Sequence, residues 1–347
     1  MSRAVRGRDR DCRRAAAEWR RAHALALWVL LSAAWLVGCA AAPPAVTLAD
    51  GPTGRIVFRS ATLRVPQFLN GGASGVPAEI WGDLRLPRAG APRLPAVVIA
   101  HSIAGVGPHE REWARDLNDI GLATFVLNSF AGRGLRNLRE RPGTFPPIVA
   151  IVDAYRALEL LATHPRIDPD RIALMGFSYG GVVSLYASLR RFQRLHGPPA
   201  VAFAAHVAFY PFCNYTFAGD EEVSDRPIRI LHGTADDWTP IGPCRAYVER
   251  LRRAGKDVAL LEYPGAHHAF DVQRLPGLVH LRHVPNPARC LFAEQGGRLV
   301  NPETGRPRFP GDPCWTRGVT LGFHFSASEQ ARETAQAFLT ATLRVRR

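Results

Sequence analysis

The sequence predicts an α/β fold, in which a mostly parallel, doubly wound sheet carries helices on both faces. From Leu94 onward, short apolar runs alternate with segments of helical periodicity, and this alternation is typical of successive strands and helices in a parallel sheet. At 347 residues, the chain has the length of one large α/β domain or of two small ones, with ample core.

The predicted elements follow in chain order. IVFRSATLRV and AEIWGDLRLP alternate polar and apolar residues, which indicates an antiparallel pair at a sheet edge. After them come LPAVVIAHS as a strand, EREWARDLNDIG as a helix, LATFVLNSF as a strand, IVAIVDAYRALELLATHP as a helix and RIALMGFS as a strand that follows a turn-like IDPD. AFAAHVAFYP, IRILHG and VALLEYP predict three more strands. SASEQARETAQAFLTATL predicts a closing amphipathic helix capped by Ser326 or Ser328.

The N-terminal residues predict an export signal. An Arg-rich stretch precedes the apolar ALALWVLLSAAWLVG, which is too short for a comfortable membrane span and is followed by small residues. The end of this segment, LVGC at 36–39, resembles the lipobox of bacterial lipoproteins. That resemblance implies lipidation of Cys39 and a lipid anchor on the periplasmic side of the outer membrane. Ordinary cleavage within CAAAP, which would leave a soluble secreted protein, stays open.

One segment near the end of the chain breaks the alternation of strands and helices. Residues 272–322 are rich in Pro, Gly and Arg, and we interpret them as an insertion. The expected organisation is therefore a signal peptide at 1–38, a linker at 39–54 and one α/β domain at 55–347 that contains this insertion.

The net charge of +14 does not indicate a nucleic-acid site. Eight arginines and three acidic residues fall within 1–38, which leaves 36 basic and 27 acidic residues scattered over the rest of the chain. They are not clustered with aromatic residues, so a solvated basic surface is the simpler interpretation. Attraction to an anionic membrane surface stays open.

An even number of cysteines in an exported domain predicts disulfide bonds. These cysteines are Cys213, Cys244, Cys290 and Cys314. Three pairings are possible. We favour the first with the second, because both follow consecutive predicted strands at one sheet edge, and the third with the fourth, because both lie in the insertion. A metal site is the alternative, but the chain has no C-x-x-C or Cys/His cluster at ligand spacing.

The stretch LMGFSYGGV places Ser178 between a predicted strand and a predicted helix at 181–192. Strand, Gly-x-Ser-x-Gly and helix in this order are the context of a nucleophile elbow, in which glycines permit a sharp turn around a strained serine. An ordinary Gly-rich turn between a strand and a helix is the alternative interpretation.

Two further polar motifs follow later strands. HGTADDWTP offers Asp236 and Asp237 after IRIL, and GAHHAFD offers two histidines after VALLEYP. Each could be a plain turn, cap or surface loop. In open α/β sheets, however, the chemistry gathers at the carboxyl ends of the strands, and the order Ser, acid, His is that of the α/β hydrolases. The three motifs together therefore predict a nucleophile, an acid and a base.

From about Leu94 onward, the chain resembles the dienelactone hydrolase family within the α/β hydrolases. The blocks that carry the resemblance are GFSYGG, LNSFAGRG, HGTADDWTP and YPGAHHAFD. It implies Ser178 as nucleophile, Asp236 as acid because it lies four residues before a proline, and His268 as base because Ala-Phe follows it. The named enzymes use cysteine as nucleophile, so a serine here points toward general ester hydrolysis.

Other site residues follow from chemistry and from the same resemblance. An oxyanion hole needs N–H donors, which we expect from Tyr179, the residue after the nucleophile, and by resemblance from Ile103 in HSIAG. Arg133 in FAGRG either binds a substrate carboxylate or bonds loop carbonyls. Trp238 either lines the substrate pocket or packs in the core. No metal or cofactor motif is present in the sequence.

The predicted protein is thus a serine hydrolase that cleaves carboxylic ester or lactone bonds through an acyl-enzyme intermediate, with a small-molecule substrate and no cofactor. A serine peptidase of the prolyl oligopeptidase type and a non-catalytic lipoprotein on a hydrolase fold are the alternatives. Because the insertion directly follows His268, we expect it at the mouth of the site, where a Cys290–Cys314 bridge would order a segment otherwise too polar to order itself.

Overall fold

The computed structural model describes residues 47–72, 75–88, 92–307 and 312–345. The predicted signal peptide, the lipobox cysteine Cys39 and the first half of the predicted linker lie outside these residues. Within these ranges, no helix is both long enough and apolar enough to cross a membrane.

Eight of the described strands form one mixed sheet. They are β1 (Gly54–Thr62), β2 (Val76–Arg85), β3 (Leu94–Ala100), β4 (Ala123–Asn128), β5 (Ile167–Phe177), β6 (Ala205–Phe209), β8 (Ile228–Gly233) and β9 (Val258–Tyr263), with the two-residue β7 (Tyr215–Thr216) outside the sheet. The spatial order is β1-β2-β4-β3-β5-β6-β8-β9. β1 and β2 pair antiparallel, β2 pairs antiparallel with β4, and the remaining neighbours pair parallel. The predicted fold class and the antiparallel edge pair are confirmed.

Helices cover both faces of this sheet. The described helices are α1 (Val65–Leu69), α2 (Pro108–Asp119), α3 (Ile151–Leu161), α4 (Tyr179–Tyr186), α5 (Arg190–His196), α6 (Ile241–Arg253) and α7 (Phe325–Thr342). Trp113 of α2 and Leu339 of α7 pack in one core with Val97, whereas Leu158 of α3 packs in a second core with Val98. Because successive residues of a strand point to opposite faces, β3 contributes alternately to two separate cores.

Three element boundaries differ from the sequence predictions. The predicted turn at 167–170 is part of β5, where it forms an irregularity opposite β3. The helix predicted at 181–192 divides into α4 and α5, because the backbone at 188–190 bonds to the segment at 222–224 instead of continuing the helix. α7 begins at Phe325 and is capped by the His324 side chain, not by Ser326 or Ser328. Helix α6 has no counterpart among the elements predicted from the sequence.

The segment 272–322 contains two pairs of strands. β10 (Leu278–Asn286) pairs antiparallel with β13 (Thr316–Gly322). β11 (Phe292–Gln295) pairs with β12 (Arg298–Val300) and also, in parallel, with β7. Disulfide bonds join Cys213 to Cys244 and Cys290 to Cys314, so the favoured pairing of the cysteines is confirmed.

Candidate active site

Ser178 occupies a strained turn between β5 and α4. Its backbone has φ 52° and ψ −107°, a region that non-glycine residues seldom adopt. A Cβ atom on Gly176 would collide with the backbone of Gly180, and one on Gly180 would collide with the carbonyl of Ala100. Glycine is therefore required on both sides of Ser178, and the turn presents the serine side chain at the carboxyl end of the sheet.

The structure brings Ser178, His268 and Asp236 into one hydrogen-bonded chain. The Oγ atom of Ser178 lies 2.8 Å from Nε2 of His268, and Nδ1 of His268 lies 2.7 Å from Oδ2 of Asp236. The three side chains follow β5, β9 and β8 respectively, and all three are buried. In this arrangement, His268 can accept the serine proton while Asp236 holds the imidazole.

The surroundings of Asp236 favour its ionised form. Its Oδ1 accepts hydrogen bonds from the backbone N–H groups of Trp238 (2.9 Å) and Thr239 (2.8 Å), and its Oδ2 accepts one from the Thr239 hydroxyl at 2.8 Å. Burial alone would raise the pKa of Asp236, but the charge of His268 and hydrogen bonds from His232 and His268 lower that pKa below its ordinary value. The carboxylate therefore stays charged beside the histidine.

The neighbours of the two site residues, Asp237 and His267, take no part in this hydrogen-bonded chain. Asp237 accepts hydrogen bonds from the backbone N–H and the hydroxyl of Thr320, both at 2.7 Å. The Nδ1 atom of His267 is buried, with no hydrogen-bond partner among the described residues. The geometry thus distinguishes the two members of each pair. Asp236 and His268, and not Asp237 and His267, belong to the hydrogen-bonded chain that ends at Ser178.

Ile103 and Tyr179 both lie next to Ser178, where they line the same small cavity. The Ile103 carbonyl accepts a hydrogen bond from Leu138, while its N–H has no partner among the described residues. Glu110 fastens this loop, because its carboxylate accepts hydrogen bonds from the N–H groups of Ser102 (3.3 Å) and Gly107 (2.7 Å). The loop that carries Ile103 is therefore held at both ends.

Trp238 and Arg133, the two residues predicted to bind substrate, have different surroundings. Trp238 lines the cavities at Ser178, and its ring centroid lies 5.0 Å from that of His268. The side chain of Arg133 is only 6% exposed and makes a two-pronged ion pair with Asp153 at 2.8 and 2.9 Å. Its remaining N–H groups bond to Thr62, Ser129 and Ala61.

The prediction for Arg133 as a substrate ligand is therefore corrected. All five donors of its guanidinium are used within the protein, so none is left for a substrate carboxylate. The alternative interpretation, an arginine that bonds loop carbonyls, agrees with the structure. The ion pair with Asp153 adds a contact between the loop after β4 and helix α3.

A second buried network lies behind His268, and the sequence motifs do not predict it. The carboxylate of Asp271 accepts hydrogen bonds from the Tyr210 hydroxyl (2.7 Å) and the Trp113 indole (2.9 Å), and lies 2.8 Å from Nε2 of His109. Tyr210 has φ 37° and its ring packs against His268 at 4.8 Å. Asp271 belongs to the same GAHHAFD motif as His268, and this proximity is the one sequence signal that points to it.

The described residues contain no group of three or more His, Cys, Asp or Glu side chains placed to hold a metal ion.

Comparisons with known proteins identify the family of this chain. A model of the dienelactone hydrolase family matches residues 84–283. A "Putative carboxymethylenebutenolidase" of Salmonella typhimurium is 26% identical over 286 residues, which cover 75% of this chain and 95% of that protein. A "Probable 2-oxo-3-(5-oxofuran-2-ylidene)propanoate lactonase" of Bradyrhizobium is 24% identical over 193 residues, or 51% of this chain and 74% of that protein.

The solved structures include a similar fold. The crystal structure of a "Putative Dienelactone Hydrolase" from Klebsiella pneumoniae matches with a TM-score of 0.53 at 15% identity, over 82% of this chain and 98% of that chain. At this identity the likeness concerns the fold, whereas the family match covers more than half of the chain.

Proposed function

This chain belongs to the dienelactone hydrolase family and is a carboxylic ester hydrolase, and we propose that it works through Ser178, His268 and Asp236. In this proposal Ser178 is the nucleophile, His268 the general base and acid, and Asp236 the residue that orients His268. The observation that carries the proposal is the chain of two hydrogen bonds, 2.8 and 2.7 Å, that begins at a serine in a strained turn.

The first half of the reaction would form an acyl-enzyme. His268 takes the proton from Ser178 as Oγ attacks the carbonyl carbon of the ester. The N–H groups of Ile103 and Tyr179 would stabilise the negative oxygen of the tetrahedral intermediate. When the intermediate collapses, Nε2 of His268 gives the proton to the departing alcohol, and the acyl group stays on Ser178.

The second half repeats these steps with water. His268 takes a proton from the water that attacks the acyl-enzyme, and Ser178 leaves as a hydroxyl when the proton returns to it. Asp236 remains ionised throughout, because the charge of His268 and the hydrogen bonds from His232 and His268 lower the pKa of Asp236. It would thereby stabilise the positive charge that His268 carries in each transition state.

Esters and lactones are the proposed substrate classes. The lactonase named among the relatives supports lactones. A serine with an adjacent base, in the place where the named enzymes of the family have cysteine, supports general ester hydrolysis.

The purified protein should be assayed on p-nitrophenyl esters, simple lactones and aminoacyl anilides. We expect turnover of esters and lactones and none of anilides. Faster turnover of anilides would favour the peptidase alternative. Failure to hydrolyse any of the three, together with failure to react with a fluorophosphonate probe, would favour a non-catalytic protein.

We also propose that the protein is exported and lipid-anchored through Cys39. The support is the apolar segment before LVGC and the two disulfide bonds, which form in oxidising compartments. Metabolic labelling with a radioactive fatty acid in a Gram-negative host should label the wild-type protein but not Cys39→Ser. Equal labelling of the two, or label in neither with the protein in the soluble periplasmic fraction, would contradict the anchor.

A further inference from the structure

Two cavities of different size and chemistry meet at Ser178. The smaller has a volume of about 70 Å³ and the larger about 220 Å³. Ile103 and Trp238 contribute to both, so these residues and the serine lie at the junction. An ester bond attacked by Ser178 would therefore have one of its two halves in each cavity.

The position of His268 determines which half enters which cavity. His268 lines the larger cavity and is not part of the wall of the smaller one. The histidine must give its proton to the oxygen of the departing alcohol, so that oxygen must lie on the histidine side. Tyr179, whose N–H is the expected oxyanion donor, lines the smaller cavity and not the larger. The alcohol then belongs in the larger cavity and the acyl group in the smaller.

The volumes limit what each half can be. A cavity of roughly 150 Å³ lined by aliphatic and aromatic side chains holds a benzene molecule. The smaller cavity has about half of that volume and the larger one exceeds it. By volume, the smaller cavity therefore suits an acetyl or propionyl group better than an aromatic acyl group, whereas the larger cavity has room for an aromatic alcohol.

The walls also differ in charge. The smaller cavity has no charged side chain among its described lining residues, and Val182, Phe212, Pro285, Pro287 and Trp315 form much of it. Glu110, Glu112, Arg139 and Arg274 line the larger one. Burial of an unpaired carboxylate is costly, so the acyl group must be uncharged, while the alcohol can carry polar groups.

Two disulfide bonds restrain the smaller cavity. Phe212 and Trp315 each lie next to a disulfide-bonded cysteine, and the Pro287 carbonyl accepts a hydrogen bond from the N–H of Cys290 at 2.8 Å. Because each of these wall segments is covalently tied to another part of the chain, the cavity cannot widen easily around a longer acyl chain.

From this geometry we propose that the enzyme is selective for esters of short, uncharged carboxylic acids with larger alcohols. The proposal rests on the function proposed above, since it assumes that Ser178 and His268 perform the reaction. It adds the assignment of the two cavities, and with it the substrate class.

A pair of isomeric esters tests the assignment directly. Benzyl acetate has a small acyl group and a large alcohol, whereas methyl phenylacetate has the same atoms with the two halves exchanged. We expect kcat/KM for benzyl acetate to be at least about tenfold higher, because a single methylene that a pocket cannot accommodate already costs about 10- to 200-fold. Equal values or the opposite preference would overturn the assignment even though ester hydrolysis itself is confirmed. No hydrolysis of any ester would refute the proposed function and this assignment with it.

Two variants and a matched control locate the preference in the smaller cavity. Trp315→Ala should raise kcat/KM for methyl phenylacetate at least about fivefold and so reduce the preference. Val182→Ala removes a smaller side chain from the wall of the same cavity and should act in the same direction, which keeps the test valid if Trp315→Ala does not fold. Leu275→Ala enlarges only the larger cavity and should not raise methyl phenylacetate hydrolysis. A rise in Leu275→Ala with no rise in the two other variants would reverse the assignment.

Discussion

The carboxylate of Asp237 accepts two hydrogen bonds from Thr320, one from the backbone N–H and one from the hydroxyl, each 2.7 Å long. Thr320 belongs to β13, so the residue beside Asp236 fastens the segment 272–322 to the candidate active site. Trp238 strengthens this connection, because it packs in a small apolar cluster with Val319 and other residues of β10 and β13. The insertion is therefore part of the wall of the site.

Exchanging the two neighbouring aspartates for asparagine should have unequal effects. Asp236→Asn removes the charge that stabilises the histidine cation, and we expect kcat/KM for p-nitrophenyl acetate to fall about 10³- to 10⁴-fold. Asp237→Asn keeps one acceptor for Thr320, and we expect less than a tenfold loss. If Asp237→Asn had the larger effect, Asp237 and not Asp236 would be the acid.

Ser178→Ala should abolish ester hydrolysis without unfolding the protein. The loss expected for removal of a serine nucleophile is about 10⁴- to 10⁶-fold in kcat. Ser184→Ala, in the helix that follows Ser178, is the matched control: the Ser184 hydroxyl donates to the Leu174 carbonyl and not to the site, so this variant should keep the activity and the reaction with a fluorophosphonate. Covalent labelling of Ser178→Ala by that probe would show that another residue is the nucleophile.

The sequence predicts most of the site because Ser178, Asp236 and His268 each lie in a short motif at the end of a strand. Their neighbourhood along the chain is enough to indicate their position in the sheet. Arg133 also lies at a strand end, but its motif does not contain Asp153, the partner that fixes the side chain from 20 residues away. The motif therefore predicts that Arg133 follows a strand, but it does not predict that the side chain turns toward Asp153.

The buried network around Asp271 could not be predicted for a related reason. Its members, His109, Trp113, Tyr210 and Asp271, come from three distant parts of the chain and meet only in the folded structure. The strands within 272–322 are also not predictable from the sequence, because the apolar residues of β10 and β13 that pack on Trp238 are few and separated by polar ones. Contacts between residues distant in the chain, more than the local sequence pattern, form the Asp271 network and the strands β10 and β13.

The ion pair of His109 and Asp271 predicts a pH-dependent contribution to stability. Burial alone would lower the pKa of His109, but the charge and hydrogen bond of Asp271, with help from Glu110, raise it to about 10 from an ordinary value of 6.5. A group whose pKa is raised on folding stabilises the protein fully below its unfolded pKa and loses that effect as the pH rises through its folded pKa.

The free energy of unfolding should show this dependence. We expect the advantage of the wild-type protein over His109→Gln to be nearly constant between about pH 5 and pH 6, where Asp271 is ionised, and to shrink between pH 6.5 and 10. Asp271→Asn removes the other partner and should lose the same dependence. Urea unfolding at a series of pH values measures it, and an advantage that grows with pH in this window would contradict a charged His109.

Arg133→Ala should affect stability far more than substrate binding. The change leaves Asp153 buried with the Ser60 hydroxyl as a remaining partner, and loss of one member of a buried ion pair typically costs about 3–5 kcal/mol. Arg136→Ala, at an exposed position in the same loop, is the control and should change the free energy of unfolding by less than about 0.5 kcal/mol. A large rise in KM for Arg133→Ala with unchanged stability would return this residue to the role of a substrate ligand.

The Cys290–Cys314 disulfide should contribute both to stability and to the choice of acyl group. It closes a loop with a sequence separation of 24 residues, which in the chain-entropy model is worth about 3 kcal/mol. Trp315 follows the second of these cysteines and lines the smaller cavity, so loss of the bond should also loosen that wall. We therefore expect a double Cys290→Ser, Cys314→Ser variant to unfold at lower denaturant concentration and to hydrolyse p-nitrophenyl hexanoate better, relative to p-nitrophenyl acetate, than the wild-type protein does. The acetate itself should react at nearly the wild-type rate, because Ser178, His268 and Asp236 lie on other segments of the chain.

Peptide mapping under non-reducing conditions checks whether the Cys290–Cys314 bond is present, and free thiols at both positions in the wild-type protein would contradict the prediction. If the ratio of the hydrolysis rates of hexanoate and acetate did not change in a variant shown to lack the disulfide bond, Phe212 and the prolines would hold the wall without that bond.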